Sequence, residues 1–302
     1  MRPASPTPKA GDEGMTDVPV KDVQIVAVLG AGTMGHGIAH AAAAAGYETR
    51  LFDVAESQLA KARTQIESVF RKAVELGKST TADADAGLAR LQTTAAIARA
   101  LDGADLVIEA APERMDVKLM LMADIDLHAP ASAVIATNTS ALSITEMAGA
   151  STRPSRVAGM HFFNPVHKMK LIEIVRALET SPQALETIEA VSRRMGKETV
   201  LVRESPGFIT TRVNASIGNE AFYMLMEGVA SARDIDKALK LGLNHPMGPF
   251  ELVDLVGLDT RLSILEYLHR SLGEKYRPCP LLAQYVKAGR LGRKVGKGVY
   301  DY

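Results

Sequence analysis

The sequence predicts an α/β fold: a doubly wound, mainly parallel sheet followed by an all-helical C-terminal domain. Three observations predict it. A glycine turn joins an apolar, β-branched run to an alanine-rich segment. Strand-like and helix-like segments then alternate as far as about residue 205. Beyond that point every periodic segment has helical spacing. Alternation of the first kind stacks parallel strands in one sheet with helices on both faces, a Rossmann-like plan. The expected division is a disordered extension over 1–21, a sheet domain over 22–205 and a helical domain over 206–302.

The opening "MRPASPTPKAGDEGMTDVPVK" is rich in Pro, Gly and Ser and has no periodicity, so it is read as disordered. It lacks an apolar core for secretion, and Asp12, Glu13 and Asp17 speak against a transit peptide. Residues 23–29 then form a run suited to a strand buried on both faces. Gly30, Gly32 and Gly35 follow as G-x-G-x-x-G, with Ala31, Thr33 and Met34 between them. The helix they open runs to Gly46, and "ETRLFD" is a second strand ending at Asp53.

Each glycine has a task. Gly30 makes the tight turn, Gly32 lets the backbone approach a pyrophosphate, and Gly35 lets helix and strand pack closely. The helix N-terminus offers free N–H groups and its dipole to phosphate. Asp53 stands 23 positions after Gly30, where a carboxylate binds ribose hydroxyls and repels a 2′-phosphate, so the expected cofactor is NAD rather than NADP. Arg50, three residues before it, could soften that exclusion.

Next come an amphipathic helix "IESVFRKAVELGK", a strand and turn "ADLVIEAAPE", a helix "MDVKLMLMADIDLHA" and a strand "SAVIATNTS". Ligands bind beyond the carboxyl ends of such strands. Those ends carry Asp53, Glu109 to Glu113, Asn138 to Ser140, and His161. In "SRVAGMHFFNPVHKMKLIEIV" His161 closes one apolar run and Glu173 sits inside the next. Isolated buried charges are costly, whereas a hydrogen-bonded pair survives in a core and can move protons. A satisfied structural histidine beside an unrelated surface glutamate is the other reading of this stretch.

After the strand "ETVLVR", Ser205-Pro206-Gly207 breaks the pattern. Helices are expected at about 208–227, 231–241, 249–271 and 280–289, punctuated by Gly228, Gly242 and Gly273. Phe222, Leu225, Met226 and Val229 fall on one face, as core or subunit interface.

Composition narrows the function. Lys and Arg total 35 against 35 Asp and Glu, so no broad nucleic-acid or membrane surface is expected. No apolar run approaches the ~20 residues of a membrane helix. Cys279 alone permits no intrachain disulfide and no Cys-rich metal site. No metal is expected, and a spectator thiol fits the cytoplasm.

The motifs "GAGTMGHGIA", "ATNTSAL", "GMHFFNPVHKMKLIEIV", "SPGF", "LGLNHPMGPFELVDLVGLD" and "YRPCPLLAQYVKAGRLGRKVGKGVYDY" resemble the NAD-dependent 3-hydroxyacyl-CoA dehydrogenases over about residues 22–302, the bacterial 3-hydroxybutyryl-CoA enzymes most nearly. The resemblance implies reversible hydride transfer between NAD(H) and C3 of an L-3-hydroxyacyl-CoA. It also implies His161 as general base, Glu173 as the acceptor behind its ring, and Ser140 and Asn164 beside substrate and nicotinamide. Glu113, Lys118 and Lys294 match cofactor-contacting positions, and a homodimer is implied.

One departure stands out. The family's P-G-F-x-x-N-R has Thr211 in place of Asn here, so Thr211, with Asn214 one helical turn on, is expected to take over the substrate contact. Ala141 follows Ser140 where a second serine is common. For the phosphates of CoA the candidates are Lys61, Arg71 and Lys72, although a charged helix face is usually just solvated. Two competing functions remain. A dehydrogenase of a free 3-hydroxy acid or sugar acid would keep His161 and Glu173 but take no CoA. A non-catalytic NAD(H)-binding protein would have no use for Ser140, His161, Asn164 and Glu173 together.

Overall fold

The computed structural model describes residues 22–302; the extension expected over 1–21 lies outside them. In chain order the elements are β1 (Ile25–Leu29), α1 (Gly35–Ala44), β2 (Glu48–Phe52), α2 (Glu56–Glu75), α3 (Thr81–Ala89), β3 (Leu91–Thr94), α4 (Ile97–Leu101), β4 (Leu106–Glu109), α5 (Met115–His128), β5 (Val134–Thr137), α6 (Ile144–Gly149), β6 (Val157–Phe162), β7 (Leu171–Arg176), α7 (Pro182–Arg194) and β8 (Glu198–Arg203). The helical part follows: α8 (Thr210–Met226), α9 (Ala232–Gly242), α10 (Pro249–Val256), α11 (Leu258–Leu272) and α12 (Pro280–Lys287).

One eight-stranded sheet has the order β3-β2-β1-β4-β5-β6-β7-β8. Strands β1 to β6 run parallel, β7 is antiparallel to β6, and β8 is parallel to β7. Chain order reverses between β1 and β4, so a crevice opens beyond their carboxyl ends.

The central strands are apolar along their length because both faces are covered. Val26 and Val28 of β1 face a core shared with Ile38 of α1, Ile66 of α2 and Ile188 of α7. Ala27 and Leu29, alternating with them, face a second core with Leu101 of α4, Met122 and Ile125 of α5 and Met147 of α6. The alanines of α1 leave no bulk between helix and sheet: Ala39, Ala42 and Ala43 are fully buried. A third core, around Phe222, Phe250, Leu258 and Leu265, belongs to the helical part.

The expected helix over 249–271 is two helices. Gly257 interrupts it at φ 107°, and a Cβ there would stand 2.9 Å from Asp259 Oδ1 and 3.2 Å from Lys294 Nζ. The left-handed backbone and that ion pair end one helix and start the next. The expected interface face also splits: Phe222 is core, while Met226 and Val229 are exposed.

Candidate active site

The glycine turn sits in the reversal crevice. Gly30 takes φ 105°, and a Cβ on it would lie 2.7 Å from the Ala110 carbonyl at the end of β4. A Cβ on Gly35 would fall 1.7 Å from the Gly30 carbonyl, so only glycine lets α1 start on top of the turn. Gly32 differs. Its Cβ would meet no protein atom within 4 Å.

That open position lines a cavity of about 520 Å³ shared by Gly30, Thr33, Met34, Asp53, Glu113, Ser140 and His161. The N-terminus of α1 has no side-chain cap and no acid in its first turn. Apart from the His36 N–H, which donates to the Gly32 carbonyl at 3.2 Å, its first N–H groups are therefore available to an anion. The cavity thus fits a dinucleotide: Gly32 leaves room where a pyrophosphate would approach, and Asp53 is the carboxylate that would meet a ribose. Asp53 is set in place by N–H groups of Ala31 and Ala55, at 2.9 and 3.0 Å. The guanidinium of Arg50 is committed to Glu48 and to the carbonyls of Arg99 and Asp102, so it does not serve a 2′-phosphate.

Beneath the cavity, Lys118 and Glu109 form a fully buried pair, with Nζ 2.8 Å from both carboxylate oxygens. Glu109 also accepts from the Thr137 hydroxyl at 2.6 Å and the Ala111 N–H at 2.7 Å. Removing one partner of such a pair costs about 3–5 kcal/mol, because the other charge is left uncompensated. Lys118 lies 3.5 Å from Glu113 and supports the cavity from below rather than lining it. Glu113 Oε1 accepts from the Thr139 hydroxyl at 2.7 Å and from Ser140 N–H and Oγ at 2.8 and 3.1 Å.

His161 and Glu173 are cross-strand partners in the antiparallel β6–β7 pair. In both strands the residues on either side of them, Met160 and Phe162, Ile172 and Ile174, turn into the first core. Alternation therefore puts imidazole and carboxylate side by side on the other face. His161 Nδ1 is 2.7 Å from Glu173 Oε2, with the histidine nearly and the glutamate fully buried. Burial pushes the Glu173 carboxyl up, but hydrogen bonds from His161 and from the N–H and hydroxyl of Thr210 outweigh it and hold the group below its ordinary range. Rings of Phe163 and Phe208 pack against the imidazole at 4.6 and 5.8 Å. Phe208 takes φ 49°, a strained conformation for an aromatic residue, costing about 1 kcal/mol or more.

Thr210 is the residue that sequence reasoning missed. Its N–H and that of Ile209 reach Glu173 Oε1 at 3.0 and 3.3 Å, and its hydroxyl reaches Oε2 at 3.1 Å. The available signal was a helix beginning after Pro-Gly without a capping side chain of its own. Its neighbour Thr211, singled out from the motif, makes no hydrogen bond to His161 or Glu173. Asn214 lines a separate apolar cavity of about 380 Å³ with Thr210, Val213, Ile217 and Met247. Asn164 is exposed, next to Pro165. Lys294 is paired with Asp259 at 2.6 Å in the helical part, away from the cavity walls. Lys61 and Lys72 are exposed on α2, the latter paired with Glu75, as Arg71 is with Asp85.

A larger cavity, about 850 Å³, is lined by Ser143, Arg176, Glu204, Phe208 and Tyr267 and holds neither the glycine turn nor His161. Among the described residues no cluster of His, Cys, Asp and Glu could hold a metal ion, and no helix is long and apolar enough to cross a membrane.

Comparison with known proteins gives two family matches. Residues 25–205 match the 3-hydroxyacyl-CoA dehydrogenase NAD binding domain, and residues 207–302 match the 3-hydroxyacyl-CoA dehydrogenase C-terminal domain. A probable 3-hydroxybutyryl-CoA dehydrogenase of Bacillus subtilis is 45% identical over 93% of this chain and 98% of its own. A 3-hydroxybutyryl-CoA dehydrogenase of Bradyrhizobium diazoefficiens is 41% identical over 93% and 96%. The crystal structure of (S)-3-hydroxybutyryl-CoA dehydrogenase PaaH1 from Ralstonia eutropha superimposes with a TM-score of 0.90 at 41% identity, covering 93% of this chain and 99% of that one.

Proposed function

The chain belongs to the 3-hydroxyacyl-CoA dehydrogenase family, and on that premise we propose that it interconverts 3-hydroxybutyryl-CoA and acetoacetyl-CoA with His161 as the base. The observation that carries this reading is the 2.7 Å contact between His161 Nδ1 and a buried, ionised Glu173, on the wall of the cavity that holds the glycine turn. When bound, NAD accepts hydride from C3 of the substrate.

The chain's own residues supply the rest. Glu173 accepts Nδ1–H, which fixes the tautomer and leaves the Nε2 lone pair free for the 3-hydroxyl proton. The imidazolium that forms is stabilised by the same carboxylate. In reduction the ring returns the proton to the new alkoxide. Ser140 donates to the substrate oxygen once its hydroxyl turns from Glu113, which keeps the Ser140 N–H and the Thr139 hydroxyl. Asn164 orients the site. Thr211 and Asn214 are the proposed substrate contacts on α8, and Lys61 and Lys72 the proposed contacts for CoA phosphates. Lys294 is the proposed cofactor contact from the helical part.

We read residues 22–205 as the cofactor domain and 206–302 as the substrate and dimerisation domain. The exposed Val213 and Met226 of α8 and Leu255 and Val256 of α10 support pairing with a second copy. The single buried thiol of Cys279, raised by burial, supports a reducing compartment, the cytoplasm.

NADH oxidation with acetoacetyl-CoA, set against free acetoacetate, tests the function. Turnover is expected with the thioester only. Equal turnover with the free acid points to the acid dehydrogenase, and NADH binding without turnover to a non-catalytic protein. His161→Ala is expected to keep NADH binding and lose about 10²–10⁴ in rate.

A further inference from the structure

Glu173 Oε1 is occupied by two N–H groups from the start of α8, and Oε2 by His161 Nδ1 and the Thr210 hydroxyl. A carboxylate has about four acceptor positions, so this one is saturated. Only the Thr210 hydroxyl competes with the imidazole for the same oxygen. We infer that Thr210 is a positioning residue that sets the basicity of His161 by sharing Glu173 Oε2 with it, and that this ties the base to the seating of α8. The inference rests on the reading of His161 as the general base.

The physical basis is the charge left on the carboxylate. Each neutral donor spreads part of that charge and weakens its pull on a neighbouring imidazolium. Few other groups can do this here. From β8 the partner of Glu173 is Val200, which is apolar, and the β7 neighbours Ile172 and Ile174 point into the other core. From α8 come the two N–H groups and the hydroxyl. The rings of Phe163 and Phe208 are uncharged. Among the described residues, the ionisable groups that pair with the imidazole or line its cavity are Glu173, Asp53 and Glu113. The hydroxyl is therefore the uncharged side chain that can tune the pair, on the same oxygen as the imidazole.

Removing it leaves Oε2 to His161 alone and makes the ring more basic. Thr210→Val, which keeps the branched shape at the first position of α8, is expected to raise the acid limb of kcat/KM for 3-hydroxybutyryl-CoA oxidation by about 0.5 to 1 pH unit. Thr210→Ser is expected to keep the wild-type limb. Thr210→Ala should shift it as Val does, and serves if the valine variant does not fold. A purely structural threonine would lower stability and leave the limb in place.

The imidazole 15N resonances of His161, titrated in the enzyme without substrate, give the same comparison with no turnover required. Identical ring titration in wild type and the hydroxyl-free variants overturns the inference. A shifted ring in a protein that does not oxidise hydroxyacyl-CoA upholds the hydrogen-bond coupling and overturns the catalytic reading instead.

Discussion

His40 of α1 stacks on Phe70 of α2 with ring centroids 4.3 Å apart, and neither of its ring nitrogens has a hydrogen-bond partner. Burial first, then electrostatic repulsion from His167, Lys197 and His36, lowers its pKa from 6.5 to about 4. The folded state therefore binds this proton less readily than the unfolded chain, and protonation favours unfolding. Its contribution to stability is intact above pH 6.5 and is lost as pH falls towards 4, by about 3 kcal/mol in all. His40→Gln should flatten the fall of Tm over that range; an unchanged slope would show that other groups govern acid unfolding. The thiol of Cys279 illustrates the opposite case. It is buried against Met226, with its N–H on Asn219, and burial outweighs the backbone N–H groups of Leu281 and Leu282 and pushes the thiol up.

The glycine turn is an element whose three glycines act by different physics, and substitution separates them. Gly35→Ala puts a methyl 1.7 Å from a backbone carbonyl, so the start of α1 must move. We expect a loss of about 3 kcal/mol or more in denaturant unfolding. Gly32→Ala meets no protein atom and should unfold within about 1 kcal/mol of wild type, yet weaken NADH binding tenfold or more. Wild-type NADH affinity in Gly32→Ala would move the pyrophosphate away from this turn. The β6–β7 pair is as exacting in another way. A slip of one residue would turn His161 and Glu173 to opposite faces of the sheet.

Across the whole molecule, sheet and helical part meet where the buried carboxylate of β7 accepts the first N–H groups of α8. The N-cap residue Ile209 offers no capping side chain, so Glu173 takes that place, and the carboxylate gains from the helix dipole. One contact thus satisfies the helix end, helps to hold Glu173 ionised and sets the helical part against the His161–Glu173 pair. The exposed apolar residues of α8 and α10 lie on that same helical part. Sedimentation velocity should give twice the 32.3 kDa chain mass, and Val213→Glu should shift it towards the monomer. A wild-type monomer would remove the dimer proposal.

The glycine turn, Asp53 and the buried central strands were legible in the chain because each signal is local: a spacing, an apolar run, a carboxylate at a strand end. The local pattern left the pairing of His161 with Glu173 open, and only the family resemblance implied it. Several elements were not legible. Strand β3 is four residues long and three of them are polar, and α4 and α6 have five and six residues, too few to set a period. The motif pointed to Thr211, while the hydrogen bond to the dyad comes from Thr210, whose partner lies 37 positions away. The reversed direction of β7 and β8, the break at Gly257 and the burial of Lys118 on Glu109 have the same origin. By itself the sequence determined which segments form strands, turns and helices around a dinucleotide loop, because those choices depend on neighbours along the chain. Only the tertiary structure decided which side chains meet, because a contact between distant residues depends on how whole elements are aimed and seated.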